Sequence, residues 1–547
     1  MAFWIMVLVA GSPNSALGDD SSVPDKLDAL LERFQKLEET NRRLTERVDE
    51  LSNENSALSK EVRDLSQQVK NPVASDPKAK SESESSGLAG QGGWEKVLER
   101  DRAAPDARGG PPASRSGASG GIRDLNPQEK GDRFLGKIPL KAFYDYGRGG
   151  VGFSTADDEF ELKSRAELQV DNLVFPGSPQ QTIHGGIYLP RARFYFQGHF
   201  TKPIDYQLSF QQSLTSFGFL NAFLNFNYDK RLQLKIGRYK VPFTYEWYKL
   251  NNWRFITPER SLFAENFGLS RMEGIMGAGL LFDERLEYAA GVFAGPRNTD
   301  QDYNSQKDFA GMLNVRPFLL TEGALQNLNI GGSMDYGMQD NPANPAVLRS
   351  NVNASANEVG ANTGAAIVGI PFLAFNRDVV ERGKRELWEL HMTYFYKGLS
   401  VIGAWNMGVD SFAKKTGGPP VPLAVEGWSI AASYFLTGET LSERTMIDPI
   451  HRFDLRKDKF GLGAIEPFAR YSALGVGNEV FTRGLADPNL WTNRIGMTDV
   501  GVNWYLNHAT KIYFDWQHSM YAQPVFYRTG GLRSTSDILW VRFQFMY

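Results

Sequence analysis

The side chains with chemical reach in this sequence are cations, and several of them recur at every second position. Arg191 and Arg193 flank Ala192, and Lys163 and Arg165 flank Ser164. Arg231 and Lys235 fall in one short segment, with Arg238, Lys240, Arg254 and Arg260 following. Guanidinium and ammonium groups gathered on one face attract anions, and arginine adds a planar fork suited to phosphate oxygens. The rest of the sequence offers little reaction chemistry. The six histidines (His184, His199, His391, His451, His508, His518) show neither metal-ligand spacing nor an HExxH pattern. Cysteine is absent, which removes a thiol catalyst and a disulfide scaffold. Gly461-Leu462-Gly463 lacks the strand-to-helix setting of a nucleotide site. A membrane-embedded hydrolase needs a Ser/His pair in its wall, and nothing points to one. The chain therefore reads as a non-enzyme with no cofactor and no metal.

The elements that must carry those cations are strands. In Phe160-Glu161-Leu162-Lys163-Ser164-Arg165-Ala166-Glu167-Leu168-Gln169-Val170 the apolar and charged sets alternate. A strand turns successive side chains to opposite faces, so one wall is greasy and the other charged. The pattern repeats from about residue 160 to Tyr547, with aromatics crowding the apolar face. That arrangement suits a closed barrel with lipid outside and water inside. The last segment, Leu539 to Tyr547, still alternates and ends on an aromatic, as outer-membrane barrels commonly do.

A length of 547 residues is too long for one ordinary domain. Hydrophobic content is 41%, yet no apolar run reaches the roughly 18 residues that a spanning helix needs. Insertion into a membrane must then be as a barrel, which satisfies every backbone group between strands. Aromatics at 12% and 54 glycines agree with a β-rich chain.

Residues 1–18 read as a signal peptide, with an apolar core over 2–10 and Ala16-Leu17-Gly18 before Asp19, although no Lys or Arg precedes the core. Residues 23–70 carry an unbroken heptad repeat. Its a positions are Leu27, Phe34, Asn41, Val48, Asn55, Val62 and Val69, and its d positions are Val23, Leu30, Leu37, Leu44, Leu51, Leu58 and Leu65. This predicts a coiled coil about 70 Å long at 1.5 Å per residue. Valine at a with leucine at d favours two strands. Residues 71–135, rich in Ser, Gly, Pro and Ala, predict a flexible linker. Residues 136–547 are the expected outer-membrane β-barrel, with 138–146 as a short strand leading in.

Sixteen strands are predicted, at about 160–173, 184–200, 203–213, 218–228, 231–239, 272–283, 285–295, 308–318, 326–338, 384–397, 399–409, 424–436, 461–474, 494–507, 509–521 and 535–547. The links alternate in length. Short ones fall at Thr201-Lys202, Asp229-Lys230, Asp283-Glu284, Lys397-Gly398 and His508, and long ones at 240–271, 339–383, 475–493 and 522–534. Short turns inside and long loops outside are the habit of such barrels. Two links break the parity: 437–460 is long on the inner side and 214–217 is short on the outer. An even count places both barrel ends, and with them the coiled coil, in the periplasm.

Two stretches resemble the phosphate-selective porin O and P family. The first runs from Arg191-Ala192-Arg193 through Leu234-Lys235-Ile236-Gly237-Arg238-Tyr239-Lys240-Val241-Pro242-Phe243 to Pro258-Glu259-Arg260-Ser261-Leu262. The second holds Leu436-Thr437-Gly438-Glu439, Glu466-Pro467-Phe468-Ala469-Arg470-Tyr471-Ser472 and Gly501-Val502-Asn503-Trp504-Tyr505-Leu506-Asn507. The resemblance covers about 160–547. It implies a homotrimeric, 16-stranded antiparallel transmembrane β-barrel whose third external loop, about 240–271 here, folds inward to narrow the channel. In this chain that barrel is preceded by the N-terminal α-helical coiled coil. Two departures stand out: Pro190 where paired arginines often precede Ala192, and Trp253, beside Arg254, where a lysine of phosphate-selective members falls.

Alternation points Arg191, Arg193, Tyr195, Gln197 and His199 inward and Phe194, Phe196 and Phe200 toward lipid. Asp205, Gln207, Ser209 and Gln211 face the lumen, as do Glu161, Glu167, Asp171 and Glu389. Over residues 136–547 there are 41 Lys+Arg against 40 Asp+Glu, a net of +1. Any selectivity must therefore come from local arrangement. An ordinary ion pair with a neighbouring carboxylate is the alternative role for every arginine named. The expected function is an outer-membrane porin passing small hydrophilic solutes, with anions such as phosphate as candidate cargo. The positive lining would be Arg191, Arg193, Lys235, Arg238, Lys240, Arg254 and Arg260, supported by Lys163, Arg165 and Arg231. The rival expectation is a structural protein whose periplasmic coiled coil tethers the membrane to the cell wall. Expected partners are outer-membrane lipid, small anions, two further copies of the chain and, through the coiled coil, the cell wall; nucleic acid is not expected.

Overall fold

The computed structural model describes residue 39 and residues 139–145, 150–176, 185–212, 217–295, 302–350, 370–527 and 531–547. The chain divides into residues 1–120 and residues 121–547. In the first unit only Glu39, which is helical, is described. The predicted signal peptide (1–18), coiled coil (23–70) and linker (71–135) thus lie outside the described residues.

The second unit is built of strands. A hairpin of β1 (Leu140–Tyr144) and β2 (Val151–Thr155) comes first. Then follow β3 (Glu161–Val174), β4 (Gly186–Thr201), β5 (Ile204–Gln212), β6 (Phe217–Asp229), β7 (Leu232–Lys240), β8 (Arg271–Leu281), β9 (Leu286–Phe293), β10 (Asp308–Val315) and β11 (Asn327–Asn341). A small separate pair, β12 (Leu348–Arg349) and β13 (Pro371–Leu373), interrupts the series. The wall resumes with β14 (Val379–Tyr396), β15 (Leu399–Lys414), β16 (Val421–Tyr434), β17 (Ala464–Val476), β18 (Arg494–Asn507), β19 (Thr510–Tyr527) and β20 (Gly531–Met546). Each barrel strand pairs antiparallel with the next, and β20 returns to β3 through Trp540↔Leu173 and Met546↔Glu167. The result is a closed barrel of sixteen strands, β3–β11 and β14–β20. Closure leaves no exposed edge along the wall.

At the seam, one edge of β3 is shared. β20 occupies residues 167–174 of that edge and β2 occupies 161–164. Between them the backbone of Tyr547 exchanges two hydrogen bonds with Ala166, both 2.8 Å. The predicted short strand at 138–146 is thus one arm of a hairpin that extends the wall below its last strand.

The alternation places faces as expected. On β4, Arg191 and Arg193 are buried, whereas Phe194 and Phe200 are each 52% exposed on the outer side. Trp388, Trp405, Trp428 and Trp516 are likewise exposed outward. Among the described residues no helix is long and apolar enough to cross a membrane. Several strands outrun their predicted ends. β14 begins at Val379 and β15 continues to Lys414, because backbone pairing persists where the oily alternation has already stopped. There both faces carry charge, as in the Arg382–Asp340 pair at 2.7 Å.

The lumen departs from the expectation of a uniformly wet interior. At the long-loop end, Phe243, Leu262, Phe263 and Phe267 from the β7–β8 connection pack against Leu348, Phe372 and Leu373 and against wall residues such as Phe412, Val425 and Trp540. Wall strands supply 20 of the 34 buried side chains of this core and the inward loops the other 14, so the loops are wedged among inward-facing apolar residues of the wall. Apolar wall residues beneath those loops gain a dry partner and need not face water.

Candidate functional site

Val241 to Ser270, the connection between β7 and β8, folds into the barrel as expected of 240–271. Its base is closed by Val241 N–H donating to Ser270 O at 3.0 Å. Just before it, Gly237 has φ +127°, and an added Cβ would lie 2.3 Å from the Ala222 carbonyl oxygen. Only glycine fits that backbone beside β6. The loop then makes a short helix, α1 (Tyr245–Tyr248), capped by Thr244, whose hydroxyl accepts from Trp247 N–H at 3.3 Å. A 3₁₀ turn (Asn252–Arg254) and a second helix, α2 (Leu262–Phe267), follow.

Irregular backbone inside a barrel must find partners, and here the wall supplies them. At the start, Tyr245 N–H donates to Glu389 on β14 at 2.6 Å. Asn252 donates to Glu167 on β3 at 3.1 Å. The carbonyls of Phe255, Ile256, Pro258 and Glu259 then accept from Lys511 (2.8 Å), Asn503 (2.8 Å), Arg542 (2.5 Å) and Arg470 (2.6 Å). Those donors stand on β19, β18, β20 and β17. The Glu259 carboxylate binds Arg191 on β4 and Arg542 on β20, each at 2.6 Å. Asp171 completes the group against Arg542 at 2.6 and 2.8 Å. A buried charge removed from such a network leaves its partner unpaired, which costs about 3–5 kcal/mol.

The ten predicted cations separate by environment. Arg191 and Arg260 are buried in the fixing of the loop, Arg260 between Glu265 (3.3 Å) and the ring of Trp247 (3.6 Å). Arg193 bonds Gln211 and lies 3.7 Å from Glu167. Lys163 pairs with Asp145 at 2.7 Å. Arg165 reaches Gln197 at 3.3 Å and stacks over Tyr195 and Trp253. Arg231 is exposed in the turn after β6, bound to Asp229. Arg238 shares the parity of the outward-exposed Leu234 and Ile236, and it pairs with Glu273 at 2.8 Å. Lys240 donates to the Leu250 carbonyl (2.7 Å) and to Asn251 (2.9 Å). Lys235 and Arg254 differ from the rest. Both keep solvent access, and among the described residues neither side chain has a hydrogen-bond acceptor or ion-pair partner. Lys235 lies over the rings of Phe223 and Tyr239, with the Asp205 carboxylate near enough to act on its charge but not in bonding contact.

Polar lumen residues that retain solvent access gather on one side. They include Gln197 on β4, Asp205 and Gln207 on β5, Gln233 and Lys235 on β7, and Glu287 on β9. Across from them on the loop stand Lys249, Trp253 and Arg254. Lys249 binds Glu287 through both carboxylate oxygens, at 2.6 and 2.7 Å. Sequence reasoning passed over Lys249, as well as Glu259, Arg444, Arg470, Lys511 and Arg542. Strict alternation on β17, β19 and β20 marks Arg470, Lys511 and Arg542 as inward, so that signal was available. Glu259 stands within the motif Pro258 to Leu262, but loops carry no period, so nothing there names its partners.

The parity exception after β16 is also a structural feature. The connection 435–463, at the short-turn end, packs Leu441 and Ile447 against Phe395, Phe435, Ala464 and Tyr505. It inserts Arg444, with a side chain 1% exposed, against Glu466. Its outer surface carries ordinary exposed pairs. There, hydrogen bonds from Arg456 hold the Asp454 carboxyl down to about 2.

A family model described as phosphate-selective porin O and P matches residues 160–547. Porin O of Pseudomonas aeruginosa is 25% identical over 394 residues, spanning 67% of this chain and 84% of that one. Among solved structures, the anion-selective porin from Comamonas acidovorans is 11% identical with a TM-score of 0.41, covering 71% of this chain and all (100%) of that one. The outer membrane channel DcaP of Acinetobacter baumannii is 6% identical with a TM-score of 0.43, over 72% and 99% of the two chains. The trimer form of OmpT from Vibrio cholerae is 8% identical with a TM-score of 0.43, over 71% and 100%. With its whole barrel inside the matched region, the chain belongs to the phosphate-selective porin O and P family.

Proposed function

We propose that this outer-membrane porin passes small hydrophilic solutes by diffusion along the β4–β9 side of its lumen, with anions such as phosphate as preferred cargo. The observation that carries the preference is the contrast between Lys235 with Arg254 and the other predicted cations. Seven of the other eight are bound to carboxylates or to carbonyl and amide oxygens, and Arg165 to an amide and two rings. Lys235 and Arg254 face accessible lumen without an acceptor among the described residues. A charge with no bonded counter-ion in a low-dielectric bore focuses more potential than one held in contact with a carboxylate, although Asp205 offsets part of the charge of Lys235. The near-zero net charge of the barrel is consistent with selectivity set at this narrowing. No reaction chemistry is assigned to the wall, and the protein is read as a channel only.

The family resemblance supports a homotrimer. The heptads of 23–70 support a periplasmic coiled coil, joined to the barrel through 71–135 and placed to reach the cell wall. Planar-bilayer recording with reversal potentials in a KCl gradient tests the central reading. Channels with anion preference are expected. Cation preference retires the anion assignment, and an absence of channels leaves the wall-tether role ahead.

A further inference from the structure

Arg444 belongs to the connection at the short-turn end, yet its guanidinium lies in the lumen against the constriction loop, which enters from the opposite end. Its Nε donates to the Arg254 carbonyl at 3.0 Å and its Nη2 to the Phe255 carbonyl at 3.4 Å. Nη1 holds the wall through Glu466 and Ser400 (3.4 Å), and Nη2 also reaches Glu466 (3.4 Å) and Tyr505 (3.3 Å). The guanidinium thus bridges barrel and loop, with Nε on the loop, Nη1 on the barrel and Nη2 shared between them. The planar five-donor group is the only protonated side chain that can serve both at once.

The side chain of Arg254, by contrast, has no acceptor among the described residues. Its backbone carbonyl is fixed, while its side chain is half-buried, with Nε enclosed and the rest of the group reaching accessible lumen. A long side chain on a mobile turn would swing through many rotamers and blur the charge it presents. Fixing the carbonyls on either side of the peptide link narrows where that charge can sit. Lys511 reinforces the hold on the Phe255 carbonyl at 2.8 Å.

We infer that Arg444 is a positioning residue for the constriction: the connection 435–463 reaches through the short-turn end and aims Arg254 into the channel. The bore is therefore set from both membrane faces, and whatever moves 435–463 on the periplasmic side moves the constriction. This rests on the reading of 241–270 as the channel's narrowing.

The chain contains no cysteine, so Arg254→Cys introduces a single reactive site without removing a bonded group. The experiment compares labelling of this thiol by a small charged methanethiosulfonate in full-length Arg254→Cys, alone and combined with Arg444→Lys. Lysine keeps a cation beside Glu466, so the barrel folds, but it lacks the fork that reaches both carbonyls. At least a threefold change in labelling rate is expected, together with noisier open-channel current in Arg444→Lys alone. Arg444→Gln should give the same changes more strongly if it folds. Equal labelling rates in the two Arg254→Cys proteins, with wild-type noise in Arg444→Lys, overturn the inference. Channel formation by Arg254→Cys is recorded on the same sample. Loss of channels in every protein, wild type included, would instead indict the pore reading.

Discussion

Arg191 and Glu259 meet as a two-pronged pair, Nη1 to Oε1 at 2.6 Å and Nη2 to Oε2 at 2.8 Å, with both side chains essentially buried. One stands on the wall and the other on the loop that crosses the lumen. The most conspicuous arginine of the sequence is thus a fastening, and its charge is spent on the loop and not on a solute.

Glu259→Ala should leave Arg191 facing Arg542 without their shared carboxylate. The expected loss is about 3–5 kcal/mol, the usual cost of breaking a buried pair. A lowered temperature for the shift from compact to unfolded migration on a detergent gel reads the loss, and larger, noisier channels read the loosened loop. Migration and currents identical to wild type would show that the carbonyl contacts alone hold the loop.

Lys235→Gln and Arg254→Gln should each shift the anion-to-cation permeability ratio toward cations, by about a factor of two to ten for one lost charge at close range. Arg231→Gln and Arg238→Gln should leave the ratio unchanged. Reversal potentials across a tenfold KCl gradient measure all four. A larger effect from Arg231 than from Lys235 would contradict the division between paired and unpaired cations.

Gly237→Ala places a methyl group against the Ala222 carbonyl at a backbone angle that alanine tolerates badly. A cost of about 1–3 kcal/mol is expected, seen as a lower yield of folded barrel after refolding into detergent. Gly323→Ala is the comparison, since open space surrounds it. Its own positive φ adds strain but no collision, so it should cost less.

Val502→Arg puts a charge on the lipid side near the middle of β18, opposite Phe514. A penalty of about 2–4 kcal/mol is expected at bilayer mid-depth. Gln207→Arg, facing the lumen, should fold as wild type does. Equilibrium folding into lipid vesicles separates them, and equal stabilities would mean the two faces had been exchanged.

The wall was legible because a strand's period of two writes its faces directly into the sequence. All sixteen strands lie within a few residues of where the alternation puts them, and Arg191, Arg193 and Tyr195 face inward beside outward Phe194 and Phe196. The narrowing was legible only as a long link. Which wall residues meet Glu259 or the carbonyls of 255–259 depends on the path of an aperiodic segment through space. Residues 240 and 259 are not near neighbours in the sequence, and nothing at either position names its partner. Arg238 shows the same limit from the other side: its type suggested lining, but it is buried and taken up by Glu273. The long link after β16 was noticed as an irregularity, yet its insertion beside Arg254 needed coordinates.

The shared edge of β3 has a consequence for how the cylinder is joined. A strand that slips by two places keeps every side chain on its proper face, so alternation alone cannot prevent that error. With β2 already seated on residues 161–164, the final strand meets a physical stop and cannot slide further toward the hairpin. The two segments nearest the ends of the sheet thereby act as a gauge block, fixing the stagger of the whole ring and with it the tilt and girth of the tube.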